Sequence, residues 1–171
     1  LSFDEFMAKD HNTQILFGFF FGTIIIIGLL SLILFILLKN MIYLKFGIFT
    51  FFWTIVLMIT SGHAYEYLWP DRIWWNSYSI LFSIEMAAIL VLNFSMEFLL
   101  LKKTMPRVNS FFRILHIIFI ILLPFVFILK YSIMLRILTP FSIITAALLI
   151  IAAFYCLKKG YKPARYYVTG W

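Results

Sequence analysis

Long stretches without a charged residue alternate with short polar turns along the chain. The first stretch, Ile15 to Leu38, carries no charge and stops at Lys39 and Asn40. Further apolar runs cover about 44–68, 76–101, 111–129 and 134–157. Each is continuous rather than apolar at every second position, which predicts helices and not the strands of a membrane barrel. Roughly 20 such residues cross about 30 Å of hydrocarbon, so five transmembrane helices are expected. The connections are short, which makes successive helices antiparallel. Pro70 marks the turn after the second run, because it lacks a backbone N–H and disfavours helix at Trp69.

Composition agrees with that pattern. Of the 171 residues, 64% are hydrophobic and 12% charged, whereas a soluble domain is about half apolar and a quarter charged. The mean hydropathy is +1.04. A polytopic, all-α transmembrane bundle is the fold class implied, since helices satisfy their own backbone groups where no water is present. The single cysteine, Cys156, forms no intrachain disulfide and no thiolate metal cluster. The opening LSFDEFMAKDHN begins without methionine and is acidic where a signal peptide is basic, so the chain reads as a piece of a longer protein.

The formal charge of +7 is explained by position. Lys39, Lys45, Lys102, Lys103, Arg107, Arg113, Lys158, Lys159, Lys162 and Arg165 fall beside one set of span ends. Lys9, Arg72, Lys130 and Arg136 fall beside the other, with Asp4, Glu5, Asp10, Glu66 and Asp71. Basic residues are retained on the cytoplasmic side, which puts the amino end outside and the carboxyl end inside. Residues 1–14 are then an extracytoplasmic segment and 158–171 a cytoplasmic loop. No nucleic-acid partner is expected, because the basic residues are divided among three turns that topology already explains.

The stretch GHAYEYLWPDRIWW, Gly62 to Trp75, concentrates polar and aromatic residues at the outer end of the second span. His63, Glu66, Tyr67, Trp69, Trp74 and Trp75 form an outer interface cluster, where amphipathic rings sit at headgroup level. His63 and Glu66 are three apart on one helical face, but two ligands do not make a metal site.

In order along the chain stand GFFFG at Gly18 to Gly22, YLKF at Tyr43 to Phe46 and GHAYEYLWP at Gly62 to Pro70. They are followed by NFSMEFLLLKKTMP at Asn93 to Pro106 and GYKPARYYVTGW at Gly160 to Trp171. This series resembles the membrane region of the bacterial seven-transmembrane receptors with diverse intracellular signalling modules. The resemblance implies an extracytoplasmic sensor before the first span, a cytoplasmic kinase, cyclase or similar output after the seventh, a homodimer, and a sixth span beginning near Trp171. Both flanking domains would lie in the same parent chain, in a bacterial inner membrane.

Four residues inside the spans are candidates for an intramembrane polar switch. Glu85 lies ten residues past Trp75, which at 1.5 Å per residue is about 15 Å deep, near the midplane. An ionised carboxylate there is costly, so Glu85 is expected to be neutral, inward-facing or partnered. Asn93 and Glu97 share a face of the third span, and His116 lies at similar depth on the fourth, which suggests a Glu97–His116 contact. Snorkelling of Glu97 toward Lys102 or Arg113 is the alternative. Gly18 and Gly22 form a small-residue face for close helix packing, within the bundle first and between two copies as the alternative. Pro124 is expected to kink the fourth span, and Pro140 to open the fifth.

No cofactor is expected and the chain itself carries no enzyme signature: there is no GxSxG, no HExxH and no pair of aspartates in a span. His63 and His116 belong to opposite leaflets and cannot ligate one haem. A small-solute or ion transporter, or a channel, is the rival reading, since Glu85, Asn93 and Glu97 could line a path. After replacement of Cys156 by serine, cysteines introduced at Lys102 and at Lys158 are expected to react with a membrane-impermeant maleimide from the same side of sealed vesicles. Labelling from opposite sides would overturn the alternating topology.

Overall fold

In a computed structural model, the backbone of residues 3–170 and the side chains of residues 14–170 are described. The elements are α1 (Phe3–Leu38), α2 (Met41–Thr60), α3 (His63–Tyr67), α4 (Ile73–Phe98) and α5 (Leu101–Thr104). They continue with α6 (Pro106–Leu122), α7 (Phe125–Ile128), α8 (Tyr131–Lys158) and α9 (Ala164–Gly170). No strand occurs among the described residues. Five segments are long and apolar enough to cross a membrane: Gln14–Leu38, Met41–Thr60, Ile73–Phe98, Pro106–Ile128 and Tyr131–Lys158. The fold is an all-helical polytopic membrane bundle.

Helix ends differ from the sequence expectation where single residues redirect the backbone. The second span closes at Thr60 rather than near 68, because Gly62 takes φ 84 and the chain restarts as α3. Asn40 starts α2 by accepting a hydrogen bond from the Ile42 N–H at 3.0 Å. At the end of α8 the Gly160 N–H donates to the Leu157 carbonyl (3.0 Å) and the Tyr161 N–H to the Cys156 carbonyl (3.1 Å). With Gly160 at φ 88, this is a Schellman stop. The same left-handed position after α4 is held by Leu100, φ 50, at a cost of about 1–2 kcal/mol for a residue with a Cβ. Helix α1 runs unbroken from Phe3, so helical backbone continues well before Ile15.

The prolines divide in their effect. Pro124 interrupts the fourth span between α6 and α7, since it has no N–H to donate to the preceding turn. Pro140 does not open the fifth span: α8 begins nine residues earlier, at Tyr131, and passes through it. Tertiary packing on both sides of Pro140 holds the helix together, with Leu138 and Thr145 buried.

Helix α4 is the axis of the bundle, packing against α2, α5, α6, α7 and α8. Half of its span is buried, against 6% for the first span, which leans mainly on α2. Leu81, Leu92, Phe112, Phe119, Val126, Met134, Leu138 and Leu149 fill the core between α4, α6, α7 and α8. The three basic turns meet at one end of the bundle, where Lys159 donates to the Thr104 carbonyl at 2.9 Å and the Tyr161 hydroxyl to the Phe98 carbonyl at 3.0 Å.

Close approach of α1 to α2 falls on other glycines than those expected. A Cβ on Gly18 or Gly22 would meet nothing within 4 Å among the described residues. A Cβ on Gly47 would sit 3.0 Å from Leu32 Cδ2 and 3.3 Å from the Gly28 carbonyl oxygen, and one on Gly28 3.6 Å from Thr50. With Ser31, Thr50 and Thr54 buried beside them, these small residues form the seam that lets two backbones touch in lipid. Gly47→Leu is expected to lower stability by about 1–3 kcal/mol through overpacking, and Gly18→Ala to leave it within about 0.5 kcal/mol. Unfolding midpoints in detergent check both.

Candidate functional site

The polar residues of α4 are divided between two stripes. Glu85, Ile89 and Leu92 follow at i, i+4 and i+7 and share a face. That face looks toward α6, because the His116 imidazole approaches the Ile89 carbonyl. Asn93 begins a stripe turned by about 100°, which continues to Glu97 and faces the cleft where α2 and α6 flank α4. The four residues expected to act together are therefore not one cluster.

Glu85 is fully buried, at 0% exposure, and neither carboxylate oxygen has a hydrogen-bond partner among the described residues. One turn further along the stripe, the Nδ1 of His116 is likewise buried without a partner. Such groups are rare in packed interiors, since an unmade hydrogen bond costs about 1–3 kcal/mol. An ionised carboxylate at mid-bilayer depth costs about 3 kcal/mol by insertion scales. Burial therefore disfavours charge at Glu85, and the position has hydrogen-bonding capacity that this packing of the helices leaves unused.

Glu97 does not meet His116. Its Oε2 pairs with Nζ of Lys45 on α2, and the His116 ring lies against the backbone at Ile89, two turns further toward the middle of α4. The longer reach of lysine decides the match: its ammonium extends from one turn inside α2 to the end of α4. The pair is 32% and 37% exposed, so it bridges α2 and α4 at the boundary of the bundle rather than in its core. Around it open Asn93 on α4, Lys102 and Lys103 on α5, and Asn109 and Arg113 on α6. Lys45 had counted only toward topology; with the second apolar run read from about 44 it stood at the edge of the span, and only the start of α2 at Met41 puts it a full turn inside.

Beyond these residues, Tyr167 of α9 reaches back to α4, its hydroxyl 2.7 Å from Ser95 Oγ. Burial pushes the Tyr167 phenol up to about 12. The contact fixes α9 against the central helix at the basic end. Nothing in the spacing of Ser95 and Tyr167 announced it, because 72 residues separate them.

At the opposite, aromatic end the outer cluster splits in two. His63 is 3.5 Å from Glu66 through Nδ1 and meets the rings of Phe17 and Phe21 edge-on, at 5.0 and 5.9 Å. This part ties α3 to α1. Tyr67 continues the same face, and the neighbouring Glu66 charge raises its phenol above the ordinary value. Trp69 and Trp75 pack edge-on at 6.1 Å, and Trp75 stacks on Phe127 of α7 at 6.4 Å, with Trp74 beside it. Among the described residues no three His, Cys, Asp or Glu side chains converge as metal ligands.

Lys45→Ala is expected to cost about 1 kcal/mol, between the values for exposed and buried ion pairs. The exchange Lys45→Glu with Glu97→Lys is expected to recover most of it. Detergent unfolding midpoints of the two single variants and the double variant test this; a loss in the double variant equal to the sum of the two single losses would show that the pair does not couple α2 to α4.

Comparison with known proteins places the bundle. Neither the curated proteins nor the solved structures contain a match to the chain. The family model described as 7TM diverse intracellular signalling matches residues 13–171, almost the full length. The order of motifs from GFFFG to GYKPARYYVTGW lies within that range, and the chain belongs to the 7TM diverse intracellular signalling family, as the multi-pass membrane region of a signalling receptor.

Proposed function

We propose that this bundle is the coupling region of a bacterial sensory receptor in the inner membrane, carrying the state of an extracytoplasmic sensor domain to a cytoplasmic output of kinase or cyclase type. The work is conformational, and any catalysis belongs to the output module of the same parent chain. The amino end faces out and the carboxyl end in, as the gathering of basic residues at one end of the bundle favours. Two copies act together as a homodimer.

The observation that carries the proposal is Glu85, a fully buried carboxyl with no partner at the axis of the bundle. A switch needs two packings of similar energy in which particular groups make different contacts. Glu85 and the nearby His116 Nδ1 each have an interaction to gain if α4 and α6 shift relative to one another. Moving an equilibrium from 1:99 to 99:1 takes about 5.5 kcal/mol, and one regained hydrogen bond supplies about 1–3 kcal/mol of it. Glu85 would therefore act with others, Asn93, Glu97 and His116 among them, and with the aromatic seam of Trp74, Trp75 and Phe127 that joins the outer end of α4 to α7.

Glu85→Gln in the full-length receptor keeps the shape and removes the ionisable group. Folded yield in detergent is expected to hold, while the ratio of active to inactive output without ligand shifts by about fivefold or more, the effect of about 1 kcal/mol between two states. Unchanged output with unchanged stability would remove Glu85 from the mechanism. Ion flux or solute uptake by the purified protein in liposomes would instead favour a transporter.

A further inference from the structure

The basic end of the bundle holds a pocket of about 360 Å³ between α2, α4, α5 and α6, within the roughly 300–1,000 Å³ of small-ligand sites. Its polar lining is arranged in two facing i, i+4 pairs, Asn93 with Glu97 on α4 and Asn109 with Arg113 on α6. Lys102 and Lys103 close it from α5. The left-handed Leu100 makes this possible: its reversal of the chain turns the two lysines back over the end of α4. A residue with a Cβ in that conformation is strained, and strain of this kind collects at binding sites.

Charge within the pocket is unbalanced. Glu97 is already neutralised by Lys45, which leaves Lys102, Lys103 and Arg113 without an acidic partner among the described residues. Topology alone requires basic residues beside the span ends, but not their convergence on one cavity with two amides. Asn109 is 8% exposed and still lines the space; its amide and that of Asn93 make no hydrogen bond among the described side chains. Arginine offers a planar fork that matches phosphate oxygens, and lysines add point charges. Met96 and Leu100 form an apolar wall suited to the glycerol and acyl root of a lipid. Basic pockets between membrane helices take anionic headgroups by this chemistry.

We propose that this pocket binds a phosphoryl group, presented either by the phosphodiester headgroup of an anionic lipid or by a soluble phosphate. Arg113 and the Asn109 amide hold the oxygens from α6, Lys102 and Lys103 close over them from α5, and the Lys45–Glu97 pair forms the opposite wall. Because α2, α4, α5 and α6 all line the pocket, an occupant would bridge all four elements.

The test uses the full-length chain in nanodiscs of phosphatidylcholine with a minor share of phosphatidylglycerol, with native mass spectrometry to count phosphatidylglycerol retained per protein. Lys102→Gln with Arg113→Gln removes two exposed cations of the pocket. Lys158→Gln with Lys162→Gln removes two exposed cations elsewhere at the same end. The pocket variant is expected to lose retained phosphatidylglycerol by about tenfold or more, since each basic residue at a membrane surface is worth about one order of magnitude or slightly less in binding. The second variant is expected to retain it, both with unfolding midpoints near the parent. Lys103→Gln alone serves if the double variant does not fold. Retention that resists millimolar inorganic phosphate assigns the site to lipid, and displacement by inorganic phosphate assigns it to a soluble phosphate. Equal loss in both double variants, or no loss in either, would overturn the proposal by reducing the pocket to general surface charge. Receptor output is not read, so this outcome stands apart from that for Glu85.

Discussion

Inside hydrocarbon a backbone amide has no water to turn to, and this single constraint organises the bundle. Every span closes its own hydrogen bonds as a helix, and small hydroxyl side chains follow the same rule. Thr50, Thr54 and Thr145 each donate to the carbonyl four residues earlier at 2.8 Å, and Ser95 does so at 2.6 Å. Apart from the break at Pro124, irregular backbone among the described residues lies at the ends, where Lys39, Gly62, Leu100 and Gly160 take the left-handed conformation that stops a helix. The turns are consequently the places where strain, charge and aromatic rings collect.

With backbone polarity settled locally, the helices must be held together by something other than the hydrophobic effect, since lipid tails are as apolar as leucine. Three devices serve. Small residues at Gly28, Gly47 and Thr50 bring α1 against α2; interlocked aromatic rings join α4 to α7 at one end; polar bridges join α2, α9 and the turn before α9 to α4 at the other. All converge on α4 except the first. This anchors α4 at both of its ends, and explains why Glu85 is fully buried while most of the first span faces outward.

Much of the architecture was legible in the residues. The number of spans, the turn at Pro70, the break at Pro124 and the segregation of basic and aromatic ends all depend on local composition or on a single residue's backbone chemistry. The inward burial of Glu85 was legible too, because the cost of charge at that depth admits few alternatives. The pairing of Glu97 was not: His116, Lys102 and Arg113 were all plausible neighbours, and Lys45 wins through the side-by-side placement of α2 and α4. The glycine seam within the bundle was not legible for a similar reason. Gly18 and Gly22 have the right spacing, but only the crossing point of two helices decides which glycines meet a backbone, and that point lies at Gly28 and Gly47. Pro140 shows the converse, a local helix breaker overruled by packing.

Hydropathy and turn chemistry act over a few residues, so the chain alone established that it is a bundle of membrane-spanning helices, where each reverses, and which ends carry charge. Rotation of each helix about its axis is different. It is set by the fit of one surface to another across the bundle, between residues as far apart as Ser95 and Tyr167. That rotation decided which neighbours the Glu85 stripe and the Asn93–Glu97 stripe of α4 face, and turned two asparagines, two lysines and an arginine toward a common cavity. Side-chain convergence of this kind is a property of packed surfaces, which periodicity along a single, nearly uniformly apolar helix leaves undetermined.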